Sequence, residues 1–503
     1  MGAVIRHLCR GLAPAVAVLL LAGATQAPSY DLVLAGGRVI DPESGLDAPR
    51  NLAIDDGRVA AISAGPLRGR ETIDVRGLVV APGFIDLHAH AHMNLLGGRV
   101  QAFDGVTTSI DAEAGQAPVA AAYRKAAAEG RAINYGFTAS WAGARMAVID
   151  HGRLDGTWER LSGGLRGRGW ASRPASIMQQ DAIAARLAQD LSDGGLGIGL
   201  LLGYAPNVGP AEVLAVSRVA ASRGRPVFAH LRFEVGPEGL REAMAAAAET
   251  GARWHVCHAP AAAEAVAETN THASGAVSFE TLAWSTGSTF VGADFLRPDV
   301  LRSRGVPPQS ILYYGRPLRS YDELDQVRTD HPEALVLIVP PGVQPDRPHP
   351  RLAARLRMGW TLGSDAMPWQ DRSGRLLPGD TWPLPTDAWA HPRSAATYLW
   401  AIQHLVLESR ALELTELVRA ASLKPAQLLE SSTPAFRRKG RLRPGADADI
   451  VVLDLGRVSA KATHDRPAQL SRGVTHLLVG GRWLIRDGAL DVRARPGRPV
   501  GGP

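Results

Sequence analysis

The chain has 503 residues, 46% hydrophobic and 21% charged, an ordinary globular composition that excludes disordered and collagen-like classes. The formal charge is +6, with few lysines and many scattered arginines, and no basic run is interleaved with aromatics, so no nucleic-acid partner is expected. Of the two cysteines, Cys9 lies in a leader-like segment, so a processed chain holding only Cys257 has no internal disulfide.

The leader comes first. Arg6, His7 and Arg10 precede an apolar run from Leu12 to Leu21, and small residues follow at Ala22-Gly23-Ala24. That order is a secretory signal, read here as residues 1–27. The run is short for a bilayer span, so the mature protein is expected to be periplasmic or secreted, with no stable membrane segment.

Residues 28–79 read as short strands and turns, with alternation from Tyr30 to Ala35 and a hairpin signal at Ile54-Asp-Asp-Gly57. Residues 431–503 repeat the style, with a buried strand at Asp449–Asp454 and a turn at Asp487-Gly488. The two ends are expected to pair into one small β-sandwich. Residues 80–430 hold eight candidate strands, at 80–88, 105–113, 132–139, 195–203, 226–232, 253–258, 275–283 and 358–365. Helices fall between several of them. One starts at Ser176 with Gln179 in a capping box, another at Pro210, and a third stops at Gly251. The alternation predicts an α/β chain, a (β/α)8 barrel whose site lies at the C-terminal strand ends. Two long loops, 145–175 and 284–350, are placed to shape substrate choice.

Chemistry-bearing residues fall at those strand ends. The first candidate strand closes on His88-Ala-His90-Ala-His92. Period-two alternation puts His88 and His90 on one face, a natural pair of zinc ligands, with His92 beyond the strand. The second ends Asp111-Ala-Glu113; Glu113 is the expected carboxylate bridge between metals and Asp111 the runner-up. A carboxylated lysine is a poor alternative, because Lys125, Lys424, Lys439 and Lys461 all lie off the candidate strands. His230 and His258 terminate the fifth and sixth strands and complete the expected metal set, while His255 and Cys257 read as packing. Asp365 ends the eighth, placed to take a proton from metal-activated water and pass it to a leaving amine.

These residues resemble the amidohydrolase superfamily, and within it the N-acyl-D-amino-acid deacylases. Gly195–Pro206, with Tyr204, is similar to that group's fourth-strand motif; His391-Pro-Arg393 and Gly445–Val451 are similar to its later segments. The likeness is greatest to the N-acyl-D-glutamate deacylase branch, where the bridging position is a glutamate, as Glu113 is here, rather than the cysteine of D-aminoacylases. The resemblance implies one or two zinc ions, a small N-acyl amino acid substrate, Tyr204 polarising the scissile carbonyl and Arg232 anchoring the substrate carboxylate. It leaves two rivals: a cyclic-amide hydrolase or isoaspartyl-type dipeptidase on the same scaffold, and a catalytically inactive secreted binding protein.

Overall fold

The computed structural model describes residues 29–165, 169–232, 237–269 and 276–502; the leader lies outside them. Eight parallel strands form the barrel: β1 (Phe84–Asp86), β2 (Val106–Gln116), β3 (Asn134–Ser140), β4 (Ile198–Leu201), β5 (Val227–His230), β6 (Trp254–Val256), β7 (Val277–Leu282) and β8 (Thr361–Gly363). Each falls inside one of the eight expected segments or overlaps it. The ladder runs unbroken from β1 to β8. It closes through a bridge between Ala89 and Ala366 and through the Asp365 N–H, which donates to the His88 carbonyl at 2.6 Å.

The first expected strand is in fact two. Val79–Pro82 pairs with Ile450–Leu453 in an outer sheet, and the barrel begins only at Phe84. Gly83 makes the switch, since a Cβ there would sit 2.2 Å from the Thr107 side chain. The outer sheet has nine strands drawn from both ends of the chain, with the N-terminal strands up to Pro82 meeting the C-terminal ones from Ile450 onward. Its apolar core includes Leu34, Val39, Leu52, Ile450 and Leu478.

Helices follow the sequence pattern. Ile177–Ser192 begins with the Ser176–Gln179 capping box and buries Ile183, Leu187 and Leu191. Glu238–Thr250 ends at Gly251, which is left-handed at φ +71°. Loop 284–350 builds a four-stranded sheet of its own, with Gly287–Phe290 at one edge. Among the described residues, no helix is long and apolar enough to cross a membrane.

One buried acid ties three parts of the fold together. Asp104 accepts the N–H groups of Thr397, Tyr398 and Leu399 at 2.7, 2.7 and 3.0 Å, and the Ser471 hydroxyl at 3.1 Å. Removing it strands three backbone donors in the interior. Asp104→Ala is therefore expected to cost about 3 kcal/mol, read as a lowered midpoint in urea denaturation.

Candidate metal centre

Strand ends deliver the expected side chains to one place. Beyond β1, His88 and His90 hold their rings 5.4 Å apart, edge to face. Past Asp111 the ladder between β2 and β3 slips: Asp111 pairs with Phe137, then Gln116 with Ala139. Three extra residues bulge out, and Glu113 is in the bulge. Gly115, at φ +65°, allows this, because a Cβ there would meet the Thr138 carbonyl at 2.7 Å. From β5 and β6, His230 and His258 face each other with ring centres 4.6 Å apart. Gly203 makes room, since its Cβ would collide with the His230 ring at 2.2 Å.

Glu113 joins two sets of donors. Its Oε2 lies 3.2 Å from His88 Nε2 and 3.9 Å from His90 Nε2. Its Oε1 lies 2.7 Å from His258 Nε2 and 3.1 Å from His230 Nδ1. Asp365 Oδ1 approaches the first set, 3.4 Å from His88 Nε2 and 3.6 Å from His90 Nε2. Donor atoms in each set lie within 4.8 Å of one another. His88 Nε2 is buried and makes no hydrogen bond of its own. An imidazole nitrogen facing two carboxylates in this way fits a divalent cation. The nitrogen and oxygen donors fit zinc.

The electrostatics agree. Burial lowers the His88 pKa, but Glu113, Glu280 and Asp365 together lift it well above the usual imidazole range. Burial raises Glu113, but His88, His230 and His258 bring it well below the usual carboxylate range. The site therefore holds opposed charges that a metal can replace proton for proton.

Supporting groups were not all foreseen. Glu280, on β7, accepts from His88 Nδ1 at 2.8 Å and fixes the tautomer that turns Nε2 inward. Asp111 does the same for His90 at 3.1 Å, and also receives the Gly115 N–H and the Gln116 side chain. Arg393, buried, pairs its guanidinium with the Asp365 carboxylate and donates through Nε to the Asp365 carbonyl at 2.6 Å. Asp365 and His258 have φ of +50° and +33°, conformations that cost a residue with a Cβ and concentrate at functional sites.

Tyr204 lines the same small cavity as His90, Glu113, His230, His258 and Asp365, and its hydroxyl is 2.8 Å from Thr289 Oγ1. Arg232 corrects the sequence reading. It does not line that cavity; its guanidinium is forked onto Glu242 at 2.8 and 3.1 Å and donates to the Pro206 carbonyl at 2.5 Å. A guanidinium so engaged ties two loops and is not free for a substrate carboxylate. His92 packs in parallel on Phe137, and burial lowers its pKa to about 4. His255 bonds Ser278 and Thr361, as packing requires. Cys257 lies closer to the centre than expected, beside His88 and Glu280, and burial pushes its thiol up, keeping it neutral.

Residues 79–484 match the model of the amidohydrolase family. The chain belongs to that family. Within it, the chain is 30% identical over 485 residues to an N-acyl-D-glutamate deacylase of Alcaligenes xylosoxydans xylosoxydans, spanning 90% of this chain and 93% of the relative. The family fold is shared with an N-acyl-D-glutamate deacylase from Bordetella bronchiseptica, solved with zinc and a phosphonate inhibitor that mimics the tetrahedral intermediate. That match has a TM-score of 0.72 at 22% identity and covers 94% of this chain and 100% of the other. A D-aminoacylase structure, studied for its binuclear metal centre, matches with a TM-score of 0.73 at 19% identity, covering 94% and 99%.

Proposed function

We propose that this amidohydrolase cleaves the amide bond of N-acyl-D-amino acids, N-acyl-D-glutamate among them, to a carboxylate and a free D-amino acid. The observation that carries the reading is one carboxylate, Glu113, set between two pairs of imidazoles with Asp365 against the first pair. The full-length likeness to an N-acyl-D-glutamate deacylase supports the substrate class. The basic, then apolar, then small residues between Arg6 and Ala24 support a periplasmic or secreted setting.

His88, His90, Glu113, His230 and His258 would hold one or two zinc ions. Zinc bound there supplies Lewis acidity to the carbonyl and brings the pKa of water down to about 7. Asp365 accepts the proton of the attacking water at its carboxylate and returns it to the leaving nitrogen. Arg393 keeps that carboxylate aimed at the centre. Tyr204 turns its hydroxyl from Thr289 to the carbonyl oxygen as negative charge develops there.

An enantiomer-resolved amide screen of the zinc-loaded enzyme tests this. Release of D-glutamate or another D-amino acid is expected. Turnover confined to L-isomers or to cyclic amides would overturn it.

The electrostatics add a second expectation. Below its raised pKa, His88 carries a proton where the metal must bind, so zinc displaces that proton. Zinc affinity should therefore rise with pH across the neutral range, by at least about tenfold from pH 6 to pH 8. Competition titration with a chelator at the two pH values measures it, and equal affinities would contradict the raised His88 pKa.

A further inference from the structure

The cavity at the centre measures only about 40 Å³. At roughly 10–15 Å³ per water it takes a few water molecules, not an N-acyl amino acid. A chamber of about 420 Å³ lies beside it, inside the ~300–1,000 Å³ range of small-molecule sites. Trp158, on loop 145–175, lines both. Consecutive residues Met367 and Pro368 line one each. The two spaces are thus neighbours across a thin partition.

Trp158 carries an independent sign of a ligand. It is 4% exposed, its ring stacks on His90 with centres 4.9 Å apart, and its buried Nε1–H has no acceptor. Buried indole N–H groups normally find partners. A donor left unpaired in the wall of the reaction pocket is matched by an oxygen of a bound amide.

The chamber has two ends of different character. Its buried end is apolar, at Leu95, Phe137, Trp158 and Pro368. Its exposed end carries Lys125, Glu129, Asp380 and Arg495. The amino-acid half of the substrate bears a carboxylate close to the scissile bond. Drawing that charge past Trp158 and Phe137, with no cation to meet it, is heavily penalised. The acyl half carries no charge and pays no such penalty.

We propose that the 420 Å³ chamber is the acyl subsite: Trp158 moves off His90 to join the two cavities, and the chamber takes an apolar acyl chain longer than acetyl. This rests on the hydrolytic reading above and narrows its substrates to medium-chain N-acyl-D-amino acids.

Steady-state kinetics on N-acetyl-, N-hexanoyl- and N-octanoyl-D-glutamate, with the same acyl series on D-methionine, test it in the zinc-loaded enzyme. Each buried methylene is worth about a two- to fourfold gain, so kcat/KM should rise at least about tenfold from acetyl to octanoyl. Leu377→Trp, a chamber-wall change in a partly exposed loop, should remove most of that gain and lower the acetyl rate much less. Acetyl and octanoyl substrates turned over equally by the wild type, or both lowered equally by the variant, would overturn the subsite. Turnover of no N-acyl-D-amino acid of any length would instead overturn the hydrolytic reading. Octanoate calorimetry then decides the chamber alone: binding by the wild type that Leu377→Trp weakens keeps it, and no binding, or equal binding, removes it.

Discussion

Glu113→Ala is expected to abolish amide hydrolysis and empty the centre of metal. The two Glu113 oxygens stand 2.7–3.2 Å from imidazole nitrogens of both histidine pairs, so one truncation removes the shared ligand of both. It also removes the carboxylate that does most to lift the His88 pKa, leaving that imidazole against Glu280 and Asp365 alone. Loss of a group whose two oxygens act together should lower kcat/KM by at least about a thousandfold. Elemental analysis of the purified variant should show zinc well below the wild-type ratio. Glu113→Gln separates charge from shape: it keeps one carbonyl oxygen for one histidine pair and turns an amide NH2 to the other. It should hold less zinc than the wild type and more than Glu113→Ala. Equal zinc and equal rates in all three proteins would mean that the bridging geometry has no role.

Period-two spacing made His88 and His90 legible as a pair, because a strand leaves no choice about which side chains share a face. The strand-end rule placed Glu113, His230, His258 and Asp365 for the same reason. What the pattern could not carry was the path of the backbone between strands. The bulge that brings Glu113 within reach of four histidines depends on the packing of Gly115 against Thr138, a contact between two strands. Arg393 meets Asp365 across 28 residues of irregular chain, and no local spacing encodes that pairing. Glu280 did leave a signal, an acid within the otherwise apolar and small run from Val277 to Leu282, where an unpaired charge would be too costly to bury. Arg232 failed in the other direction. Its residue type suits a carboxylate anchor, but Glu242, ten positions on, returns beside it and takes the guanidinium first. Residue type at a strand end thus predicts a ligand well when several strands converge, and a substrate contact poorly when one loop can supply the partner.

Asp365→Asn should retain zinc and lose turnover. The asparagine keeps the size and the left-handed backbone at φ +50°, a conformation asparagine tolerates as well as aspartate does. The His88, His90, Glu113, His230 and His258 donors are untouched, so metal content should stay close to wild type. What disappears is the oxygen that accepts and returns the proton, and kcat should fall by about 10²–10⁴-fold. Arg393→Lys distinguishes aim from chemistry. Arg393 grips both the carboxylate and the carbonyl of Asp365, and a single ammonium cannot make both contacts with the same planar geometry. The acid remains but its direction loosens, so kcat should fall less than in Asp365→Asn while KM changes little. If Asp365→Asn lost its zinc as completely as Glu113→Ala, Asp365 would be a ligand first and a proton carrier second, and the division of labour between the two acids would have to be redrawn.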